Sequence, residues 1–208
     1  MPSRRALSPD GGSAPLPDLA LPAPELAPLL LGCRLRSGRG ATLVEAVICE
    51  TEAYQGAEDL ACHAARGRTP RTAVMFLPAG HLYVYRCYGI HFLLNLVCDA
   101  AEVPAAVLIR GVRIVQGRDL ASARRGPAVR PDDHLANGPG KVCQVLAIDG
   151  GLNGRRLGDP SCGLHLLPRK QPPPPIRCGP RVGVAYAGPI WAARPWRFWS
   201  GDFPVARA

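Results

Sequence analysis

The chain is poor in aromatic residues, with 4 Phe, 3 Trp and 5 Tyr among 208 positions. So few rings cannot carry the core, and their placement is therefore informative. Tyr83, Tyr85 and Tyr88 fall in one short window, and Tyr54 follows Glu52 by two residues. No run approaches the roughly 20 apolar residues of a membrane span. Ser3-Arg4-Arg5 has no continuous apolar stretch behind it, so it does not read as an export signal. The eight cysteines (33, 49, 62, 87, 98, 143, 162 and 178) include no close pair, which argues against a tetrahedral zinc site. The chain is also too long to need disulfide staples. Most of these thiols read as small buried apolar residues in a reducing compartment, and the expected location is the cytoplasm.

What is present describes a globular protein. Hydrophobic residues make up 47% and charged residues 20% of a length that suits one domain. Lys and Arg number 25 against 16 Asp and Glu, a net charge of +9 carried almost entirely by Arg. Such a balance suits a polyanionic partner, although a GC-rich codon bias would produce the same excess.

Residues 1–24 are rich in Pro, Ala, Gly and Ser and read as a flexible tail, with a single domain over residues 25–208. A short helix is predicted from Glu25 to Gly32, followed by a hairpin of Cys33–Arg36 and Ala41–Thr51 around Ser-Gly-Arg-Gly. In that second strand Val44, Ala46 and Ile48 share the parity of Glu50, Glu52 and Tyr54. One face is thus expected to begin apolar and end in acid and ring, as a strand does on leaving the core for a cleft. Glu58–Ala65 reads as helical, then residues 66–71 as a basic loop. A second hairpin is predicted from His81–Tyr88 and His91–Cys98, a strand from Pro104 to Val112, and helices over Ile114–Arg125 and Gly138–Ile148. Pro172–Pro175 reads as a surface loop and Val182–Ala185 as strand-like. The fold class is α+β: one mixed domain built on antiparallel hairpins.

Glu52, at the expected end of a strand and beside Tyr54, is the best general-base candidate. Arg110 follows the apolar run Ala105–Ile109, and a buried Arg needs a carboxylate, for which Glu52 is a reasonable partner. Asn95 sits inside Phe92–Val97, where its amide must find hydrogen bonds whatever its use. Tyr88, beside Gly89 at a hairpin tip, has little core to pack on and suits insertion between bases. Tyr83 reads as ordinary cross-strand packing.

Further segments join these in order: the His63 region, Thr69-Pro70-Arg71, Met75-Phe76, Leu82–Tyr85, Leu108–Arg110, Asn137–Lys141 and Arg181–Val184. Together, from about Leu26 to Gly201, they resemble the alkyladenine (3-methyladenine) DNA glycosylase family of the mammalian type. The resemblance implies a curved antiparallel sheet with flanking helices and a projecting β-hairpin. It implies hydrolysis of the N-glycosidic bond of a damaged purine flipped from duplex DNA, with no metal or organic cofactor. By position, Glu52 resembles the base that activates water for attack on C1′, helped by Arg110 and the Val182 carbonyl. Tyr54, His63 and Tyr85 resemble the walls of the base pocket, and Asn95 the group that screens purine exocyclic substituents. Tyr88 resembles the side chain that fills the vacated space. Met75 resembles a residue packed behind the hairpin against the DNA, and Arg71 and Lys141 fall among the DNA-binding candidates. Neither Lys141 nor Lys170 resembles a Schiff-base position, so the expected product is an abasic site in an uncut strand. Thr72 and Ile90-His91 depart from the family pattern.

The expected partner is double-stranded DNA containing damaged purines, alkylated above all, with deaminated and etheno purines as further candidates, and the expected state is a monomer. Two rivals stay open on the sequence: a non-catalytic nucleic-acid binder using the same basic surface, and a hydrolase of free nucleosides.

Overall fold

The computed structural model describes residues 15–127, 135–172, 175–201 and 203–205. Residues 1–14 of the expected tail and Pro173 and Pro174 of the proline run lie outside these. Helix α1 covers Ala23–Leu29, with Pro24 in the first turn, where its missing N–H costs nothing. Leu19 and Leu21, ahead of that helix, already pack against the core. Ordered chain therefore begins before the boundary expected at residue 24.

Among the described residues eight strands build one sheet: β1 (Arg34–Ser37), β2 (Val44–Gln55), β3 (Leu82–Cys87), β4 (His91–Val97), β5 (Ala105–Gln116), β6 (Leu164–Leu167), β7 (Ile176–Gly179) and β8 (Arg197–Ser200). Their order is β3-β4-β5-β2-β1-β6, and β8 pairs with both β2 and β7. Every pairing is antiparallel, and the sheet curls into a half-barrel. The helices α2 (Arg118–Arg125), α3 (Pro139–Leu146) and α4 (Gly188–Ala192) complete the α+β fold. Leu26, Leu30 and Leu31 from the α1 region and Val142, Val145 and Leu146 from α3 close over Ile48, Leu94, Leu96 and Ile109. Each such Leu, fully buried, contributes about 1.5–3 kcal/mol.

Four expectations fail locally, each for a stated reason. Residues 58–65 are not one helix. The Asp59 carboxylate accepts from the N–H groups of Gln55 and Ala61, which holds the chain in turns until a single 3-10 turn at His63–Arg66. Ile114 to Gln116 extend β5 instead of opening a helix, because Gly117 (φ 75°) breaks the strand and α2 starts only at Arg118. Val182–Ala185 is a loop around Gly183 (φ 74°) ending in a 3-10 turn, not a strand. The strand expected from Ala41 begins at Val44, after a 3-10 turn at Gly40–Thr42.

The fifth correction sets up the site. Between β2 and β5 the register shifts once near the start of β2, at Glu45 and Ala46, and twice more at the site: Ile48 faces Val112, Glu50 faces Gly111, and Thr51 faces Ile109. Cys49 is therefore an extra residue on β2, and Arg110 an extra residue on β5. Such bulges turn a strand over and re-aim its side chains. Val44, Ala46 and Ile48 share the core with Ala53, an odd number of residues away. Glu50, Glu52 and Tyr54 thus leave the apolar face by a bulge, not by continuing along it. On β5 the same switch puts Ala106, Leu108 and Arg110 on the cavity side while Val107, Ile109 and Val112 stay in the core.

Candidate active site

A cavity of about 580 Å³ opens on the sheet face opposite α1 and α3. Tyr54, His63 and Tyr85 form its ring walls; Asn95, Leu108 and Arg110 come from the sheet, and Val182 and Tyr186 from the loop after β7. The wall is a packed aromatic group. Tyr83 and Tyr85 stack at 5.2 Å with an interplanar angle of 28°, and His63 meets Tyr85 edge-on at 4.7 Å. Asn95, buried, donates its Nδ2–H to the Tyr83 carbonyl at 3.0 Å. That bond fixes the amide and turns its chemistry toward whatever enters.

Glu52 has no exposed surface and lies directly behind this wall. Its carboxylate accepts from the Val182 N–H at 2.7 Å (Oε1), from the Tyr54 hydroxyl at 2.8 Å (Oε2) and from Arg110 Nη1 at 3.4 Å (Oε2). All three donors line the cavity. An ionised carboxylate offers about four acceptor sites, so these three bonds leave one unused. The partner of Arg110 expected from sequence is therefore present. The Val182 group that touches Glu52 is the N–H, whereas the sequence reading gave a part to the carbonyl. Burial pushes the Glu52 pKa up. Arg110, the Val182 N–H and Tyr54 pull it back, and the neighbouring charge of Glu50 adds to the rise. Burial works against the charge of Arg110, but Glu52 and Glu50 more than offset it. Together these groups leave the Glu52 carboxylate more basic than one in water, which suits it to take a proton.

His63 is held neutral. Burial, then the charges of Arg71 and Arg66, lower its pKa from 6.5 to about 4. Its Nδ1 lies 2.9 Å from the Tyr83 hydroxyl. A Tyr83 O–H donated to Nδ1 places the hydrogen of the neutral ring on Nε2. The ring is thus a donor, not a cation. The Val182 loop is anchored by Arg181. Its guanidinium, fully buried, grips Asp59 through two bonds (2.5 and 2.8 Å), bonds the Ala53 carbonyl at 2.9 Å and stacks over Tyr54.

Residues 18–204 match the sequence profile of the methylpurine-DNA glycosylases. The chain belongs to that family. It is a DNA glycosylase, a hydrolase of N-glycosyl bonds in base excision repair. A Myxococcus xanthus protein named as a 3-methyladenine DNA glycosylase is 46% identical over 88% of this chain and 87% of its own. Relatives of the same name from Streptomyces avermitilis (41%; 89% and 86%) and Mycobacterium tuberculosis (43%; 92% and 91%) align over similar spans.

In this glycosylase the β3–β4 hairpin projects beside the cavity. Tyr88 stands at its tip, 92% exposed, with φ 50° followed by Gly89 at φ 71°. The Ile90 N–H closes the turn on the Cys87 carbonyl at 3.2 Å. Arg71 is exposed and lies over the Tyr85 ring at 5.1 Å, carried by a loop that Thr72 organises through hydrogen bonds to Gly67 and Thr69. Lys141, in the first turn of α3, donates to Asn137 at 2.6 Å, next to Pro139 on the cavity rim. Met75 corrects an expectation. It is 2% exposed, packed among Cys62, Ala64, Tyr83 and Val97, and forms cavity wall; a side chain so enclosed cannot face a duplex.

Several residues escaped the sequence reading. Tyr186, 67% exposed on the rim, has its hydroxyl on the Ala61 carbonyl at 3.1 Å, which ties the Val182 loop to the His63 loop. The Arg181–Asp59 pair spans 122 residues of sequence, so no local signal reveals it. Glu50, zero per cent exposed, and Arg197 were likewise missed; only the repeated acid of Glu50-Thr51-Glu52 hinted at the first.

Proposed function

We propose that this glycosylase removes an alkylated purine turned out of duplex DNA into the Tyr54–His63–Tyr85 cavity, with Glu52 activating the water that attacks C1′. The observation that carries the reading is the buried Glu52 carboxylate, held by three cavity-lining donors with one acceptor site left. As the glycosidic bond breaks, C1′ gains positive charge, which the same carboxylate stabilises in a water-poor site. An alkylated purine that is already cationic leaves without protonation and stacks well on the electron-rich tyrosine faces. His63, with a pKa near 4, supplies no ready proton at neutral pH, so neutral deaminated or etheno purines leave more slowly.

Tyr88 enters the space vacated in the duplex, while Arg71 and Lys141 flank the strand. Asn95, its amide fixed by the Tyr83 carbonyl, screens exocyclic groups of the base. The net charge of +9 supports binding to a polyanion. The protein acts as a monomer in the cytoplasm, on the nucleoid where the cell is prokaryotic, and leaves an abasic site without strand cleavage. No described helix is long and apolar enough to cross a membrane.

The test is base release from duplexes carrying methylated adenine, hypoxanthine, ethenoadenine or normal bases, scored as alkali-labile sites. Glu52→Gln should abolish release while duplex affinity persists. Full activity of that variant would remove Glu52 from the mechanism, and equal activity on the free modified nucleoside would make the hairpin irrelevant.

A further inference from the structure

Behind Glu52 lies a second carboxylate that the reaction as described does not use. Glu50 is fully buried on the same face of β2. Its Oε1 accepts from Arg110 Nε at 3.2 Å and from Arg197 Nε, on β8, at 2.6 Å. Its Oε2 is buried and meets no hydrogen-bond donor among the described residues. Arg110 is consequently shared: its Nε faces Glu50 and its Nη1 faces Glu52. Two acids and two guanidinium groups thus meet in one buried cluster. The bulges at Cys49 and Arg110 bracket it, turning Glu50, Glu52 and Arg110 to one side. A buried ion cluster with an orphaned oxygen is a poor way to stabilise a fold, since apolar residues of equal volume do so as well or better.

We propose that Glu50 is a positioning residue for base release: by holding Arg110 and diverting part of its charge from Glu52, it keeps the Glu52 carboxylate basic enough to activate water. The proposal rests on the general-base reading of Glu52 given above. The charged and titratable groups around Glu52 are Glu50 and Tyr54 on β2, Arg110 on β5, Arg197 on β8 and the Arg181–Asp59 pair beneath the Val182 loop. Of these, Glu50 alone is an anion tied to the same guanidinium. Its charge acts in the direction of raising the Glu52 pKa. Neutralising Glu50 therefore acts twice, removing a like charge and releasing Arg110 wholly to Glu52. Neutralising Arg197 acts the opposite way, because Glu50 then draws Arg110 more strongly.

The experiment is single-turnover release of one methylated purine from a duplex, followed across pH and corrected for spontaneous loss. Wild type, Glu52→Gln, Glu50→Gln and Arg197→Met are compared, with duplex affinity measured for each. In Glu50→Gln the acid limb should move to lower pH and the plateau fall about 10- to 100-fold, the scale of a misplaced catalytic group, with affinity unchanged. In Arg197→Met the limb should move to higher pH. A merely structural Glu50 would lower the rate without moving the limb. Folded variants whose limbs coincide with that of the wild type overturn the proposal. If Glu50→Gln does not fold, Arg197→Met decides alone. If wild type releases no base, or Glu52→Gln keeps full rate, the parent reading fails and takes this one with it. If those two controls behave and the limbs stay fixed, only the role of Glu50 is lost.

Discussion

Replacing Tyr88 by glycine separates what the hairpin tip costs the fold from what it contributes to the reaction. At φ 50° an L-residue is in the left-handed region, a conformation that costs roughly 1–2 kcal/mol and that glycine adopts freely. Glycine in turn loses about 0.5–1 kcal/mol more entropy on folding. The ring is 92% exposed, so its removal forfeits almost no packing. The net change in stability lies between about zero and 1.5 kcal/mol in favour of the variant, a rise in Tm of no more than about 6 °C for a chain this size. Tyr88→Ala, still left-handed and still exposed, should melt with wild type. Both variants lose the wedge, and with it support against an unstacking cost of a few kcal/mol. Excision from duplex DNA should then fall about 30- to 100-fold, since each 1.4 kcal/mol is a factor of ten. The same lesion in an unpaired strand, where little stacking opposes eversion, should suffer much less. Calorimetry and single-turnover excision on paired and unpaired substrates measure both effects. A large drop in Tm for Tyr88→Gly, or undiminished duplex excision by either variant, would refute the reasoning.

Three further outcomes are expected. His63 has its pKa depressed from 6.5 to about 4, so below pH 6.5 the unfolded chain takes up a proton that the folded chain refuses. Stability is then whole above that pH and declines as pH falls toward 4, and urea midpoints over this range should be flatter for His63→Gln than for wild type. Gly111→Ala would set a Cβ 2.4 Å from the Phe203 ring and 3.1 Å from Glu50 Cβ; overpacking of this kind costs about 1–3 kcal/mol, read as a lowered Tm, with a slower plateau rate because Glu50 is displaced. Asp59→Asn leaves the fully buried Arg181 charge without its carboxylate, which should cost about 3–5 kcal/mol in chemical denaturation and loosen the Val182 N–H from Glu52.

Much of the site was legible from sequence because its signals were local. Tyr54 two residues from Glu52, three tyrosines around one turn, and Tyr-Gly at a tip are short-range patterns with few structural alternatives. The β3–β4 hairpin could be read for the same reason, since alternation and a turn residue sufficed. What could not be read depends on register. Nothing in Val44–Gln55 announces that Cys49 is an extra residue; alternation alone would have left Glu52 on the face of Ile48, inside the apolar core. The pairing of β2 with β5 places Arg110 beside both acids across about 60 residues of chain, and Asp59 meets Arg181 across 122. Long-range ion pairs have no sequence periodicity to betray them. The helix misread over Ile114–Arg125 has the same origin, because the continuing partner on β2 extended β5 where local propensity suggested a turn to helix.

The two bulges also explain why a carboxylate can be both buried and available. A regular β2–β5 ladder would place Glu52 with the Leu-rich core, where desolvation favours protonation and no water arrives. The inserted residue on β2 sends Glu50, Glu52 and Tyr54 to the cavity face, and the inserted residue on β5 sends Arg110 after them. Together the two insertions restore the register beyond, at Thr51 and Ile109. Deleting Cys49 removes the extra residue itself: Glu52 then lies three positions past Ile48, plain alternation keeps it on the cavity face with Arg110, and single-turnover base release should survive the deletion.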